Sequence, residues 1–156
     1  MASTPPTTRL TWDEFDRHCA TLARKIKASG TEFCAILAVL RGGAVAGVKM
    51  AHLLQISTML CIGIRRTASD EPNPAWQEPE VTGTEILHLL RGRKVLIIDD
   101  VCNYGTTLRL ARNCLLQAKP ATVKTAAVIW DRGGTAECDA DFHGGETPGW
   151  ALLPWE

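Results

Sequence analysis

The sequence predicts an α/β fold, a mainly parallel sheet flanked by helices, contained in one domain. Short apolar runs alternate along the chain with segments in which apolar residues recur at helical spacing, a pattern typical of βαβ units. One run, at 95–98, is four consecutive leucine or β-branched residues, as expected of a parallel strand covered on both faces. A chain of 156 residues with 46% hydrophobic content is long enough to bury one such core.

The N-terminal half is expected to pass twice from helix to strand after a flexible tail at residues 1–10. Thr11 is placed to cap the first helix, and the apolar residues after it recur at helical spacing until Gly30 ends the helix. The later elements expected here are a buried strand at 33–40 that enters an Arg-Gly-Gly loop, a helix at 45–54 and a strand at 58–64.

The C-terminal half begins with a stretch at 67–83 that holds three of the eight prolines and is predicted to be a mobile loop. Beyond it, the patterns predict a short turn of helix at 85–90, a strand at 95–98, a helix at 108–117, a strand at 122–130 and turn-rich chain up to 150–153. Ligands of parallel sheets bind where the strands end at their carboxyl edge. A functional site is therefore expected at the loops after Leu40, Ile98 and Trp130.

Composition argues against several classes of function. The 17 basic and 17 acidic residues cancel, and no basic stripe is present to bind nucleic acid or an anionic membrane. No apolar run approaches the ~18 residues that span a bilayer, so we expect a cytoplasmic protein without a membrane partner. The six cysteines have neither the close pairing of a disulfide framework nor the spacing of zinc ligands, which favours reduced thiols.

One segment combines features that favour phosphate, sugar and metal binding. A strand, an acidic pair, a glycine loop and a helix start follow one another at 95–108, VLIIDDVCNYGTTL. Such a loop directs unpaired backbone N–H groups and the positive end of the helix dipole at one point, which suits a phosphate. Gly105 lets the backbone approach the anion, and the hydroxyls of Thr106 and Thr107 can donate hydrogen bonds. Asp99 and Asp100 suit sugar hydroxyls or hydrated Mg²⁺; the alternative is that they cap a turn.

This segment resembles the phosphoribosyl pyrophosphate (PRPP) motif of the type I phosphoribosyltransferases. The resemblance extends to TWD at 11–13, AVLRGG at 38–43 and WALLPWE at 150–156, in the order and approximate spacing of the bacterial xanthine-guanine phosphoribosyltransferases. It implies a type I phosphoribosyltransferase-like fold over residues 11–156, with a small C-terminal hood. It also implies an enzyme that uses Mg²⁺ to transfer the phosphoribosyl group of PRPP to a purine base. Such relatives are commonly dimers or tetramers, so a homo-oligomer is expected.

The resemblance implies the donor half of a site. Asp99 and Asp100 would be catalytic residues and would hold Mg²⁺ through water or PRPP. Pyrophosphate would be held by the loop of Arg41, Gly42 and Gly43, in the family often through a cis peptide bond. The phosphate loop would consist of Asn103, Tyr104, Gly105, Thr106 and Thr107.

A closing loop is also implied. The 67–83 stretch lies where the family has a flexible loop that covers the reacting centre and excludes water from it. Arg65 and Arg66, at the mouth of this stretch, are candidates to neutralise pyrophosphate, although solvated charges at a strand end explain them equally well.

The acceptor half departs from the family pattern. Trp150 falls where the family stacks an aromatic ring on the base, and the backbone of Ala151 and Leu152 would read the base edge. The stretch 130–132 (Trp-Asp-Arg) also departs from the family pattern, near where 6-oxopurine enzymes carry a lysine, and the side chain of Arg132 can likewise donate hydrogen bonds. Asn103, a candidate catalytic residue, stands where the family has an aspartate that handles a proton of the base. An amide is no comparable base near neutral pH. Tyr104 stands where the family has threonine or serine.

Three functions are therefore consistent with the sequence. The first is transfer to guanine, hypoxanthine, xanthine or a close analogue. The second is a specialised enzyme for a modified purine, such as a 7-deazapurine. The third is a regulatory paralogue that binds PRPP or a nucleotide and has weak activity. All three share the PRPP site and differ in the acceptor.

Overall fold

Strands and helices alternate along the chain as the sequence predicts. A computed structural model describes residues 6–67 and 75–156. In chain order, the elements are β1 (Thr8–Arg9), α1 (Trp12–Ala28), β2 (Ala35–Leu40), α2 (Gly42–Leu54), β3 (Met59–Thr67), β4 (Trp76–Thr82), a 3-10 helix (Thr84–Leu90), β5 (Lys94–Cys102), α3 (Thr106–Leu116), β6 (Thr122–Asp131), β7 (Phe142–Thr147) and β8 (Ala151–Leu152). None of the helices in these ranges combines the length and apolar character needed to cross a membrane.

A six-stranded sheet forms the centre of the fold, in the order β4-β3-β2-β5-β6-β7. All neighbouring strands run parallel except β4, which pairs antiparallel with β3 at one edge. A second sheet consists of β1 and β8, which are parallel. The predicted single α/β domain with a mainly parallel sheet is confirmed.

Two apolar clusters cover the two faces of the large sheet. In β5, Leu96 and Ile98 belong to the cluster that includes α1 and α2, whereas Val95 and Ile97 belong to the cluster with α3 and the 3-10 helix. Successive side chains of a strand point to opposite faces, so a strand covered on both sides is apolar at every position. This explains the unbroken apolar run at 95–98. Full burial of one such side chain contributes about 1.5–3 kcal/mol.

The first helix begins and ends as its sequence predicts. Thr11 and Glu14 form a capping box, in which Thr11 Oγ1 accepts the Glu14 N–H at 3.2 Å and Glu14 Oε2 accepts the Thr11 N–H at 2.8 Å. The helix stops at Ala28, and Gly30 follows in the left-handed region with φ +75°. The capping box and Gly30 thus set where α1 begins and ends, and its apolar face packs against the sheet.

The predicted flexible tail at 1–10 is partly wrong. Residues 8–9 form β1, and Leu10 is buried. The N–H groups of Thr8 and Leu10 donate to the carbonyls of Trp150 and Leu152 at 2.8 and 2.9 Å. Residues 8–10 are therefore ordered by hydrogen bonds to the C-terminal segment of the same chain, which the local sequence does not reveal. Residues 1–5 lie outside the described residues.

The predicted mobile loop at 67–83 is also partly wrong. Residues 76–82 form β4, which pairs with β3. Pro79 argued against a strand, but an edge strand tolerates proline because one side of its backbone has no strand partner. Residues 68–74 of the predicted loop lie outside the described residues.

β5 is longer than predicted, and β7 was not predicted as a strand. β5 runs to Cys102, so Asp99 and Asp100 lie within the strand and not after it. The ladder with β6 continues through Asp99 and Cys102, and this pairing outweighs the low strand propensity of aspartate. The region after 130 that was predicted to be turn-rich contains β7. Its glycines and polar residues do not give the alternating apolar pattern of a strand, so the sequence did not predict it. Contact with α1 explains two of these glycines, since a Cβ at Gly144 or Gly145 would collide with His18.

Candidate active site

A cleft of about 670 Å³ opens at the carboxyl ends of β2, β3 and β5. Its wall includes Arg41 and Gly42 from the loop after β2, and Asp99 and Asp100 from β5. It also includes Thr107 from the first turn of α3, and Arg65 and Arg66 from the end of β3. Residues that are far apart in sequence therefore meet at the carboxyl edge of the parallel sheet, where ligands of such sheets bind. The polar residues of the wall that the sequence did not predict are Glu80 and Thr82, because β4 was taken for a loop.

The loop between β2 and α2 lies directly against the acidic pair. The Leu40–Arg41 peptide bond is cis, as the family resemblance led us to expect. A Cβ at Gly42 would overlap the Asp100 carboxylate, and a Cβ at Gly43 would lie 2.8 Å from the carbonyl oxygen of Ile98. Both glycines are therefore required for this close approach, which places the N-terminus of α2 beside the end of β5.

The acidic pair consists of Asp99, which is buried, and Asp100, which is half-buried. Asp99 is 8% exposed and its Oδ1 accepts the Asp100 N–H at 2.9 Å; Asp100 Oδ1 accepts the Val101 N–H at 2.7 Å. Burial raises the pKa of Asp99 well above its ordinary value, and the neighbouring Asp100 carboxylate raises it further. Burial also raises the pKa of Asp100. The ionised pair is costly in the ligand-free protein, and a cation beside it would offset that cost.

The acidic pair fits magnesium held jointly with a substrate. Both side chains offer hard oxygen ligands on the wall of the cleft. Among the described residues, no group of three or more His, Cys, Asp and Glu side chains is arranged to hold a metal by itself. Mg²⁺ is commonly bound by one or two carboxylates together with substrate phosphates and water. This donor set suits that mode of binding.

The predicted phosphate loop leads into α3 with the expected geometry. Gly105 occupies the N-cap position with φ +72°, and the helix begins at Thr106. A Cβ at Gly105 would collide with Asp139, so glycine is required both by the backbone angle and by this contact. No side chain of the described residues caps α3 at Gly105, which leaves first-turn N–H groups for an anion. Tyr104 is exposed.

Asn103 does not line the cleft with Thr107 but is turned toward β6. Its Nδ2 donates to Asp131 Oδ2 at 2.6 Å. Sequence reasoning identified 130–132 as a departure from the family pattern, yet it did not select Asp131 as a site residue. The contact joins residues separated by 28 positions. No local signal could have revealed it.

The predicted base-binding residues lie outside the wall of the cleft. Trp150 is half-buried, and its Nε1 is buried without a hydrogen-bond partner among the described residues. Because the carbonyls of Trp150 and Leu152 accept N–H groups of β1, the N–H and C=O of Ala151 point away from β1. Of the two residues expected to read the base edge, Ala151 is therefore the one whose N–H and C=O face away from β1.

Arg132 is directed toward β7. Its side chain is 60% exposed, with Nη1 3.6 Å from Glu146 Oε2, and its guanidinium lies 5.8 Å from the centre of the Trp130 ring. The loop that follows Arg132 approaches the C-terminal segment, where a Cβ at Gly133 would lie 3.3 Å from the Cα of Gly149. The structure thus brings this loop next to Trp150 but does not direct the Arg132 side chain there.

Comparison with known proteins agrees with the geometry. Residues 10–152 match the phosphoribosyl transferase domain family. The chain is 28% identical over 151 residues to a xanthine-guanine phosphoribosyltransferase of Nitratidesulfovibrio vulgaris, covering 94% of this chain and 83% of the relative. A purine phosphoribosyltransferase from Pyrococcus horikoshii has a similar structure, with a TM-score of 0.75, 25% identity and coverage of 96% and 94%. A hypothetical protein from Neisseria gonorrhoeae with bound ppGpp has a similar fold, with a TM-score of 0.82, 22% identity and coverage of 98% and 90%.

The resemblance first seen in the segment at 95–108 thus extends over most of the chain. Five of the residues that it selects on the donor side line the cleft: Arg41, Gly42, Asp99, Asp100 and Thr107. The chain belongs to the phosphoribosyltransferase family of enzymes.

Proposed function

We propose that the protein transfers the phosphoribosyl group of PRPP to a purine base and releases pyrophosphate and a nucleoside 5′-monophosphate. The observation that carries this proposal is the cleft in which a glycine loop, an acidic pair and the start of α3 meet. The names of the relatives, a xanthine-guanine and a purine phosphoribosyltransferase, support a purine as the acceptor. Guanine, hypoxanthine, xanthine or a close analogue is the expected base.

The donor is expected to lie across the cleft. The loop of Arg41, Gly42 and Gly43 would receive pyrophosphate, and the first turn of α3 would receive the 5′-phosphate. The bond between C1′ and the pyrophosphate oxygen breaks as the bond between C1′ and a ring nitrogen of the base forms. The electron pair of the broken bond leaves with pyrophosphate, and the proton of the attacking ring nitrogen passes to pyrophosphate or to solvent. Positive charge from Arg41 and Arg65 on the wall stabilises that leaving group.

Asp99 and Asp100 are proposed to hold the ribose and the metal. Ionised carboxylates accept hydrogen bonds from the ribose hydroxyls, which orients C1′ toward the base. When bound with PRPP, Mg²⁺ would neutralise phosphate charge and the charge of this pair. Because the pKa of both aspartates is raised without a ligand, the cation also favours the ionised form that these contacts need.

The acceptor is expected near the C-terminal segment. Stacking on Trp150 would contribute about 1–3 kcal/mol and tolerate different bases. The N–H and C=O of Ala151 would read the base edge, with Leu152 tied to β1. Arg132 needs to leave Glu146 to reach a base, so its part in recognition depends on that rearrangement. The homo-oligomer and the cytoplasmic location expected from the sequence stay predictions.

The decisive experiment is turnover of radiolabelled PRPP with Mg²⁺ and a panel of guanine, xanthine, hypoxanthine, adenine and a 7-deazapurine. We expect nucleoside monophosphate and pyrophosphate in equal amounts with at least one 6-oxopurine. The double variant Asp99→Ala, Asp100→Ala should form no product while its circular dichroism spectrum is unchanged. Product with the 7-deazapurine alone would replace the proposed acceptor. PRPP binding without product from any base would contradict an enzymatic role.

A further inference from the structure

The loop after β6 is attached to the loop after β5 at several points. Asn103 Nδ2 donates to Asp131 Oδ2 at 2.6 Å, and the carbonyl oxygen of Asn103 accepts from Thr135 Oγ1 at 3.3 Å. Further along, Arg109 Nη2 donates to Asp139 Oδ2 at 2.7 Å. Segment 131–139 is therefore held against segment 103–109, which contains the phosphate loop and the first turn of α3.

Asp131 is the buried centre of this attachment. It is 2% exposed, and its Oδ1 accepts the Gly133 N–H at 2.8 Å while Oδ2 accepts the Asn103 amide. Removing the Asn103 donor would leave the buried Oδ2 of Asp131 without this partner, which is costly even though Oδ1 keeps the Gly133 N–H. As long as residue 131 is aspartate, residue 103 must therefore supply a donor.

The other end of the Asn103 amide is enclosed as well. Its Oδ1 is buried without a hydrogen-bond partner among the described residues, and a Cβ at Gly134 would overlap it. The side chain therefore points into the joint between the two loops and not into the cleft. An aspartate at 103, which the family resemblance led us to expect, would here face the carboxylate of Asp131. The departures from the family pattern at 103 and 131 thus compensate each other.

We propose that Asn103 and Asp131 are a compensating pair of positioning residues, which fixes the phosphate loop relative to the loop beside the base-binding segment. The catalytic consequence rests on the proposed function: the pair aligns C1′ of PRPP with the attacking nitrogen of the base. Asn103 then acts through alignment, and position 103 takes no proton from the base. A small misplacement of the reacting atoms lowers turnover by as much as about 100-fold.

The test compares wild type with Asn103→Asp, Asp131→Asn and the double variant. Asn103→Asp places two carboxylates in the joint, and their repulsion raises the pKa of one of them. We expect its urea midpoint to fall at pH 8 and to recover toward pH 5, and its kcat to fall about 10- to 100-fold with little change in KM for PRPP. The double variant restores one amide and one carboxylate in exchanged positions. It should regain the midpoint and come within about threefold of wild-type kcat.

A matched control removes a neighbouring contact without adding charge. Thr135→Val deletes the contacts of the Thr135 hydroxyl with the carbonyl oxygens of Asn103 and Glu137, and it should show no pH-dependent loss. The ionisable side chains of the neighbouring elements are the same in all these proteins, so differences within the set come from residues 103 and 131. These side chains include Asp99 and Asp100 of β5, Cys102, Tyr104, Arg109 of α3, Arg132, Glu137, Cys138 and Asp139 of the loop, and His143 and Glu146 of β7.

The possible outcomes separate this inference from the proposed function. A double variant with a restored midpoint but the low kcat of Asn103→Asp would show that residue 103 acts on the base directly, and the positioning role would be wrong. Midpoints that change additively would show that the two residues do not compensate. If wild type turns over no purine, the proposed function fails, while the urea midpoints still decide whether the pair exists.

Discussion

Replacement of Asp99 by asparagine is expected to stabilise the ligand-free protein and to abolish its response to PRPP. Asp99 is buried, and both its burial and the neighbouring Asp100 raise its pKa well above the ordinary value. Asparagine has the same shape without the charge, and its Oδ1 can keep accepting the Asp100 N–H. The new amide can also donate to the neighbouring Asp100 carboxylate, whose charge raises the pKa of Asp99 in wild type.

The pH dependence of this gain has a definite sign. Because the pKa of Asp99 is higher in the folded protein, the folded state binds more protons than the unfolded chain between the two pKa values. Wild-type stability therefore falls as pH rises through that window. The variant should match wild type below the window and exceed it above. Each pKa unit corresponds to about 1.4 kcal/mol, which shifts Tm by roughly 3 to 5 °C in a domain of this size.

Thermal unfolding between pH 4 and 8, with and without Mg²⁺ and PRPP, measures both effects. Wild type should gain about 2.7 kcal/mol when PRPP is at a hundredfold excess over its Kd, and the variant should gain nothing. Asp16→Asn is the control, since Asp16 is exposed and lies 3.0 Å from Lys49 Nζ, and it should lose at most about 1 kcal/mol. An Asp99→Asn protein that is less stable than wild type at pH 8, or that keeps the ligand response, would refute the reasoning.

Two further substitutions test the acceptor site and the phosphate loop. Trp150→Ala should weaken the affinity for the nucleotide product about 10- to 100-fold in isothermal calorimetry, with PRPP affinity unchanged; equal losses of both would show that Trp150 serves the core. Gly105→Ala should destabilise the protein more than Gly30→Ala in urea unfolding, because both glycines have positive φ (+72° and +75°) but only Gly105 has a neighbour, Asp139, where the Cβ would stand. Both should lose at least about 1 kcal/mol from the backbone angle, and equal losses would contradict the steric role of Asp139.

The residues of the proposed donor half could be selected from the sequence because their signals are local. A buried strand, an acidic pair, a glycine loop and a helix start follow one another within 95–108, and each has its own residue preference. The parallel-sheet rule then predicted that this segment meets the loop after β2. The cleft that contains Arg41, Gly42, Asp99, Asp100 and Thr107 bears this out.

The edges of the fold were not predictable in the same way. β1 is a two-residue strand that exists because β8 supplies its carbonyls, and β4 is a proline-containing strand that exists because it lies at the edge of the sheet. In both cases the decisive hydrogen bonds come from distant chain. Residue preferences, which describe local conformation, carry no information about such partners.

The sequence by itself determined the fold class, the family and the residues of the phosphoribosyl motif, since these follow from periodicity and short-range order. The tertiary structure decided what Asn103 contacts. From sequence, an amide in place of a carboxylate indicates altered acceptor chemistry; in the fold, the same amide is the hydrogen-bond donor that the buried Asp131 requires. The reason is that a side chain's hydrogen-bond partner is selected by proximity in space, and here that partner lies 28 residues away on the neighbouring strand.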